Sequence, residues 1–349
     1  MVKVLIVDDS PTARLAITKM LKDDKEIRIV GTASNGREAI EKVKRLKPDI
    51  VTLDIEMPVM NGLDALPEIK KACSDCKVIV VSTLTAAGTE ATLKACELGA
   101  DEYITKPKDV FEMMAIKDIV KKRIKALVHS KEEKKSASKL QNKIKTSQPR
   151  ETQNIEPDHD IRIIGINSST GGPKVLMSII PALPKNFPVP IVIAQHMAKN
   201  FTKTFAEHLD KKSKVIVKEA EQGERIRDGV VYVSKGGTNM VVTEDKTIHY
   251  VNVKTRFRPS GDLLFESIAN TYGDMSAGIV LTGMGNDGSQ GIVKIKEAGG
   301  ITIAEDLESA TVPTMPKKAI ETGKVDYILS PEEIKEFLMS LVKVRQARF

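Results

Sequence analysis

The chain reads as an α/β protein with two parallel sheets, each carrying its polar chemistry at the carboxyl ends of its strands. Three observations predict this. Short β-branched runs alternate with helix-period segments from residue 1 to about 122, and again from about 159 to 349. Several runs are continuously apolar, as strands buried on both faces are. Glycines and Asp, Ser or His residues gather just after these runs, where open parallel sheets collect ligands. At 349 residues there is room for two full cores.

Composition narrows the function classes. The apolar fraction of 41% and charged fraction of 29% are those of a soluble globular chain. No apolar run reaches the length of a membrane span, and the N-terminus enters a strand with no signal-peptide pattern, so a cytoplasmic, non-inserted protein is expected. The net charge of +7 invites a nucleic-acid reading. Its distribution argues against one: residues 117–150 carry twelve Lys/Arg against three Asp/Glu, leaving everything else slightly acidic. Three cysteines, Cys73, Cys76 and Cys96, suit a reducing compartment. The Cys73–Cys76 spacing lacks the second pair or nearby histidine a metal site needs, so both read as small residues in a helix-to-strand loop.

In the first half, strands are predicted at Val4–Val7, Ile27–Ala33, Ile50–Leu53, Val78–Val81 and Tyr103–Ile104, and helices at Thr12–Leu21, Gly36–Leu46, Leu63–Ala72, Thr89–Leu98 and Val110–Val128. Five β-α units make a parallel sheet with helices on both faces. Asp8 and Asp9 then follow the first strand, Asp54 ends the third, Ser82 the fourth, and Lys106 follows the fifth. Three converging carboxylates repel unless a cation sits among them, and hard oxygen ligands suit Mg²⁺. Metal and Lys106 together would neutralise a phosphoryl group on a carboxylate.

The stretches VDDS, LDIEMPVMNG, VVSTLT and EYITKP resemble the flavodoxin-like receiver domain of bacterial response regulators. The resemblance implies phosphorylation of Asp54. It implies Mg²⁺ held by Asp8, Asp9, Asp54 and the carbonyl of Glu56, and a switch built from Ser82, Tyr103 and Lys106, with a cis Lys106–Pro107 bond.

From 123 to 158 the chain is rich in Lys, Ser, Gln and Glu and poor in bulky apolar residues. It cannot bury enough surface to offset ordering entropy, and reads as a basic tether.

The second half, 159–349, opens with the apolar run Ile161–Ile166 and the turn Asn167-Ser168-Ser169-Thr170-Gly171-Gly172, then a helix over Lys174–Ile180. Such a turn serves a nucleophile or a phosphate-binding cap equally well. A second strand, Val189–Ala194, ends before His196; a third, Ser276–Leu281, runs into Gly283-Met284-Gly285-Asn286-Asp287-Gly288. Between them Val231–Val233, Met240–Thr243 and Ile248–Val251 carry hairpin signals, predicting antiparallel strands that extend the sheet. A helix over Leu263–Asn270, another over Gly288–Ala298, a strand at Ile301–Ala304 and a helix after Pro331 complete a doubly wound, mostly parallel domain.

The three strand ends make chemical sense together. A serine needs a base, His196, and the base needs an acid, Asp287, to set its tautomer. Backbone N–H groups of Thr170 and Met284 are placed to receive charge on a carbonyl oxygen. The order Ser, His, Asp and the absence of G-x-S-x-G separate this from the α/β-hydrolase pattern.

The stretches SSTGG, AQHM, GVVYV, RPSGDLLFES and LTGMGNDG resemble the catalytic domain of chemotaxis protein-glutamate methylesterases. The resemblance implies Ser169 as nucleophile, His196 as base, Asp287 as orienting acid and Met284 in the oxyanion hole. It implies glutamyl methyl esters, and some glutamines, of methyl-accepting chemoreceptors as substrate, a histidine kinase as phosphodonor, no cofactor for the ester reaction, and an active site covered until the receiver is phosphorylated. Two departures stand out. Asn167-Ser168 replaces the usual Gly-Ala, where Asn tolerates left-handed angles and Ser168 offers a second hydroxyl. Asn239 replaces a frequent His, implying altered substrate contacts. A non-catalytic, binding-type regulator and a transcriptional regulator are the competing readings, and no recognition-helix module supports the latter.

Overall fold

Five strands, β1 (Val2–Val7), β2 (Ile27–Ala33), β3 (Ile50–Asp54), β4 (Lys77–Ser82) and β5 (Glu102–Thr105), form a parallel sheet in the order β2-β1-β3-β4-β5. The computed structural model describes residues 1–82, 85–106, 116–129 and 160–346, in two units, Met1–Ser130 and Lys131–Phe349.

In the first unit the helices begin where the residues dictate. Ser10 caps α1 (Pro11–Lys22), whose first residue is the proline that lacks the N–H a helix start wastes. Asn35 caps α2 (Gly36–Leu46) and Asn61 caps α3 (Gly62–Ala72) through the N–H groups of Glu38 and Asp64. Then come α4 (Ala86–Glu97) and α5 (116–129). Every residue of β3 is buried, as a central strand between two helical layers requires. Ile124 and Leu127 on α5 are also buried, so packing against the first core continues past residue 122. The expected start of this helix at Val110, the Lys106–Pro107 peptide and most of the tether fall outside the described residues.

The second unit is built on seven parallel strands in the order β15-β14-β13-β6-β7-β10-β8. These are β6 (Ile163–Ser168), β7 (Ile191–Gln195), β8 (Ile216–Glu219), β10 (Val230–Val233), β13 (Ser276–Val280), β14 (Ile301–Glu305) and β15 (Tyr327–Leu329). Among the described residues the accompanying helices are α6 (Gly172–Ile179), α7 (Lys199–Lys212), α8 (Gly261–Tyr272), α9 (Ser289–Glu297), α10 (Thr314–Glu321) and α11 (Pro331–Gln346). A buried set including Phe265, Ile268, Tyr232, Val280 and Ile292 fills one core of this unit.

The segment 230–251 departs from the sequence expectation. Val230–Val233 is not antiparallel: it is buried throughout and runs parallel to both β7 and β8. The remaining strands, β11 (Asn239–Val242) and β12 (Thr247–Val251), pair antiparallel but join β9 (Glu224–Arg225) in a separate three-stranded sheet. The burial patterns give the reason. A strand apolar on both faces needs layers packed over both, as a parallel sheet provides, whereas β12 buries chiefly Ile248 and suits a one-sided ribbon. That ribbon is held to α8 by the Val242 N–H donating to Ser267 Oγ at 3.0 Å.

Candidate active site

In the first unit β1 and β3 are hydrogen-bonded neighbours around which the strand order reverses, so Asp8, Asp9 and Asp54 emerge together. Ligand oxygens of the three lie within 4.8 Å of one another. Lys106 Nζ is 2.8 Å from both Asp8 Oδ2 and Asp54 Oδ2, and its N–H donates to the Ser82 carbonyl at 2.6 Å. Burial pushes the Asp54 carboxyl above its usual range, and the charge of Asp8 adds to this against the pull of Lys106. An all-oxygen donor set of crowded carboxylates, one of them reluctant to ionise, fits a hard divalent cation. Glu56 is exposed in the loop after Asp54. Ser82 is buried and donates to the Gly88 carbonyl at 2.8 Å, and Tyr103 is buried in β5, where desolvation raises its phenol.

In the second unit β6 is central, with β13 on one side and β7 on the other. Ser168 pairs with Gln195 and Asn167 with Val280. Ser169 and His196 are therefore each the first residue beyond adjacent strands, about 5 Å apart in the sheet. The turn after β13 brings Asp287 to His196. His196 Nε2 and Asp287 Oδ2 are 2.7 Å apart, with Asp287 only 3% exposed. An ionised carboxylate accepts the Nε2 proton, so Nδ1 keeps the lone pair and is the basic nitrogen. Among the described residues no hydrogen bond joins Ser169 Oγ to His196, so the row is closed on the carboxylate side and open on the hydroxyl side.

Asp287 is held by more than histidine. Its Oδ2 accepts from the Gly261 N–H at 2.6 Å and from Asn167 Nδ2 at 3.3 Å; its Oδ1 accepts from Ser260 Oγ at 3.1 Å and the Asp262 N–H at 3.2 Å. It thus sits on the positive end of α8. Burial opposes its ionisation, but the His196 bond and these N–H groups outweigh it and hold the carboxyl below the usual range. Ser260, Gly261 and Asn167 were not assigned to the site from the sequence. A serine before a helix-period run is a visible cap signal, but nothing local says that a distant carboxylate shares that helix end.

The turns abut. Ser169 N–H donates to the Thr282 carbonyl at 3.0 Å, and a Cβ on Gly283 would stand 2.7 Å from Ser169 Cβ, so only glycine allows this approach. Thr282 Oγ1 donates to the Thr170 carbonyl, and buried Glu305 accepts the Thr282 N–H at 2.7 Å. Among the described residues, the N–H groups of Thr170 and Met284 have no acceptor in the chain. The Phe257 ring lies parallel to His196 at 4.8 Å between centroids, with the Arg256 guanidinium 5.3 Å above its ring centroid.

Both departures have definite partners in the structure. Asn167 is an extended strand residue and not left-handed; its amide serves Asp287. Asn239 is buried and spent on the 253–260 loop, donating to the Val253 carbonyl and Thr255 Oγ1 and accepting from the Ser260 N–H. It positions that loop. Ser168 is fully buried and its hydroxyl donates to Gln195, whereas Ser169 is the first residue beyond β6.

The CheB methylesterase family matches residues 164–338, and the response regulator receiver domain family matches residues 4–118. The chain belongs to the CheB methylesterase family. A protein-glutamate methylesterase/protein-glutamine glutaminase of Pyrococcus abyssi is 40% identical over 98% of this chain and 94% of the relative. The Bacillus subtilis protein of the same name is 37% identical over 98% and 99%. Among solved structures, the Thermotoga maritima CheB methylesterase catalytic domain is 41% identical, covering 53% of this chain and 98% of that one with a TM-score of 0.49. As a CheB-type methylesterase the chain is an enzyme of the carboxyl-ester hydrolase class, with a receiver domain preceding the catalytic one. No helix among the described residues is long and apolar enough to cross a membrane.

Proposed function

We propose that the chain hydrolyses glutamyl methyl esters on methyl-accepting chemoreceptors, deamidates selected receptor glutamines at the same site, and does so under control of phosphorylation at Asp54. The observation that carries the catalytic part is the 2.7 Å His196–Asp287 contact, one strand away from Ser169.

The chemistry follows from the tautomer. Ser169 Oγ attacks the ester carbonyl as its proton passes to His196 Nδ1, through a bond that forms as substrate binds. The negative charge that forms on the carbonyl oxygen is received by the N–H groups of Thr170 and Met284; one such donor is worth about 2.7–4 kcal/mol of barrier. Asp287 stabilises the imidazolium, which returns its proton to the departing oxygen as methanol. Water then repeats the sequence on the acyl-enzyme and leaves a glutamate carboxylate. An amide passes through a similar tetrahedral intermediate, losing ammonia.

In the receiver, Asp54 is the phosphoacceptor, Lys106 meets the incoming phosphoryl oxygens, and Ser82 and Tyr103 respond to it. Asp8, Asp9, Asp54 and the Glu56 carbonyl would hold Mg²⁺, which supplies charge neutralisation. The phosphodonor is a chemotaxis histidine kinase and the setting cytoplasmic; the receiver, expected at 1–122, includes α5 to residue 129, ahead of the remaining tether to 158 and the catalytic domain 159–349. The test is methanol release from methylated receptor, with and without a small-molecule phosphodonor and Mg²⁺. Release by wild type, none by Ser169→Ala, and stimulation lost in Asp54→Asn are expected. Release that survives Ser169→Ala would refute the assignment.

A further inference from the structure

We infer that Gln195 is a positioning residue that sets the spacing between nucleophile and base, with Ser168 locking its amide. This rests on the proposed roles of Ser169 and His196. Gln195 ends β7 and is buried to 1% exposure; Ser168 ends β6, is fully buried and is its register partner. The two NH groups of the Gln195 amide are divided between the turns: Nε2 donates to the Ser169 carbonyl at 3.1 Å and to the His196 carbonyl at 3.1 Å. Its Oε1 accepts from Ser168 Oγ at 2.5 Å. A primary amide has two donors and one carbonyl oxygen. Here each is engaged, so a flip would set Oε1 against two carbonyls and the NH₂ against a hydroxyl.

The His196 N–H adds a return bond to the Ser168 carbonyl at 2.9 Å. The backbones of Ser169 and His196 are thus tied through one side chain, independently of Asp287. Space for the clamp comes from Gly172. A Cβ there would fall 2.3 Å from Gln195 Oε1 and 2.7 Å from Ser168 Cβ. The catalytic consequence is specific. The Ser169–His196 hydrogen bond is not formed at rest, so the reach of the serine depends on how far apart the two turns are held. A misplacement of 1 Å costs about 10²-fold in rate. Substrate binding should be untouched, because both carbonyls are already engaged by the Gln195 amide.

Gln195→Met keeps length and bulk and deletes the three bonds. Methanol release should show kcat reduced about 10²-fold with KM within about twofold of wild type, in a protein that still melts cooperatively. Ser168→Ala frees Oε1 alone and should lower kcat roughly three- to tenfold. The double variant should fall no further than Gln195→Met, because both changes dismantle one unit. A folded Gln195→Met with kcat intact, a loss confined to KM, or fully additive losses would overturn the inference. If Gln195→Met does not fold, Ser168→Ala decides: unchanged kcat overturns it. A wild type without Ser169-dependent release defeats the functional reading itself; an active wild type with unaffected variants defeats only the clamp.

Discussion

Asp287 and Asp262 exchange helix ends. Asp287 lies two residues before α9 yet accepts the first N–H groups of α8, from Gly261 and Asp262. Asp262, in the first turn of α8, sends its Oδ1 to the Gly291 N–H of α9 at 2.8 Å. Each carboxylate satisfies donors its own helix cannot reach, and each sits in a favourable dipole. Asp287 is fixed by the same bonds that join α8 to α9.

Removing its charge should therefore cost both rate and stability. Asp287→Asn loses the anion that selects the Nε2–H tautomer and stabilises imidazolium. Methanol release is expected to fall roughly 10³–10⁴-fold. Thermal melting should drop as well, because charge-assisted bonds to two helix N–H groups become neutral ones.

The exchanged pair has opposite pH signatures. Burial, reinforced by the charge of Asp287 and resisted by the Gly291 N–H, pushes Asp262 up to about 6. A raised carboxyl pKa means the folded state binds the extra proton, so this group erodes stability as pH climbs from about 4 to about 6. Asp287, held low, contributes stability above the ordinary carboxylate range that is lost as pH falls through its folded pKa. Asp262→Asn should raise the melting temperature relative to wild type at pH 7, with the advantage gone at pH 4. An equal effect at both values would contradict the assignment.

Phe257 supports the His196 ring from its face. Its ring is parallel to His196 within 5°. Such a pair is worth about 0.5–1.5 kcal/mol beyond area. Phe257→Ala should reduce kcat/KM up to about tenfold, and Phe257→Tyr should retain most activity, measured on the same methylated substrate.

The acid cluster of the receiver predicts a separable metal requirement. Chelation of Mg²⁺ should abolish phosphodonor stimulation of methanol release and leave the unstimulated rate in place, because no group of the Ser169 site is a metal ligand in the proposed mechanism. A fall in the unstimulated rate on chelation would show that the two sites are not chemically independent.

What could be read early was set by strand ends. A parallel strand buried on both faces announces itself, and the next polar residue emerges at the sheet's edge; Asp54, Ser169 and His196 were legible for that reason. Asp287 lies seven residues past β13, but the glycines around it marked a turn. The hairpin's placement was not legible, because local alternation says that β11 and β12 pair without saying which sheet they join. Nor were Gln195, Asn167 and Ser260, whose roles exist only through partners far away in the chain.

The order of residues alone determined the two α/β halves, the acid cluster, and the set of hydroxyl, imidazole and carboxylate. Local periodicity and turn chemistry act over a few residues and need nothing else. The tertiary structure decided which imidazole nitrogen faces Asp287, which serine hydroxyl is tied to Gln195, and which amide joins the two turns. Those outcomes depend on strand register and on helix ends meeting across the fold, where a displacement of about 1 Å is enough to make or lose a hydrogen bond.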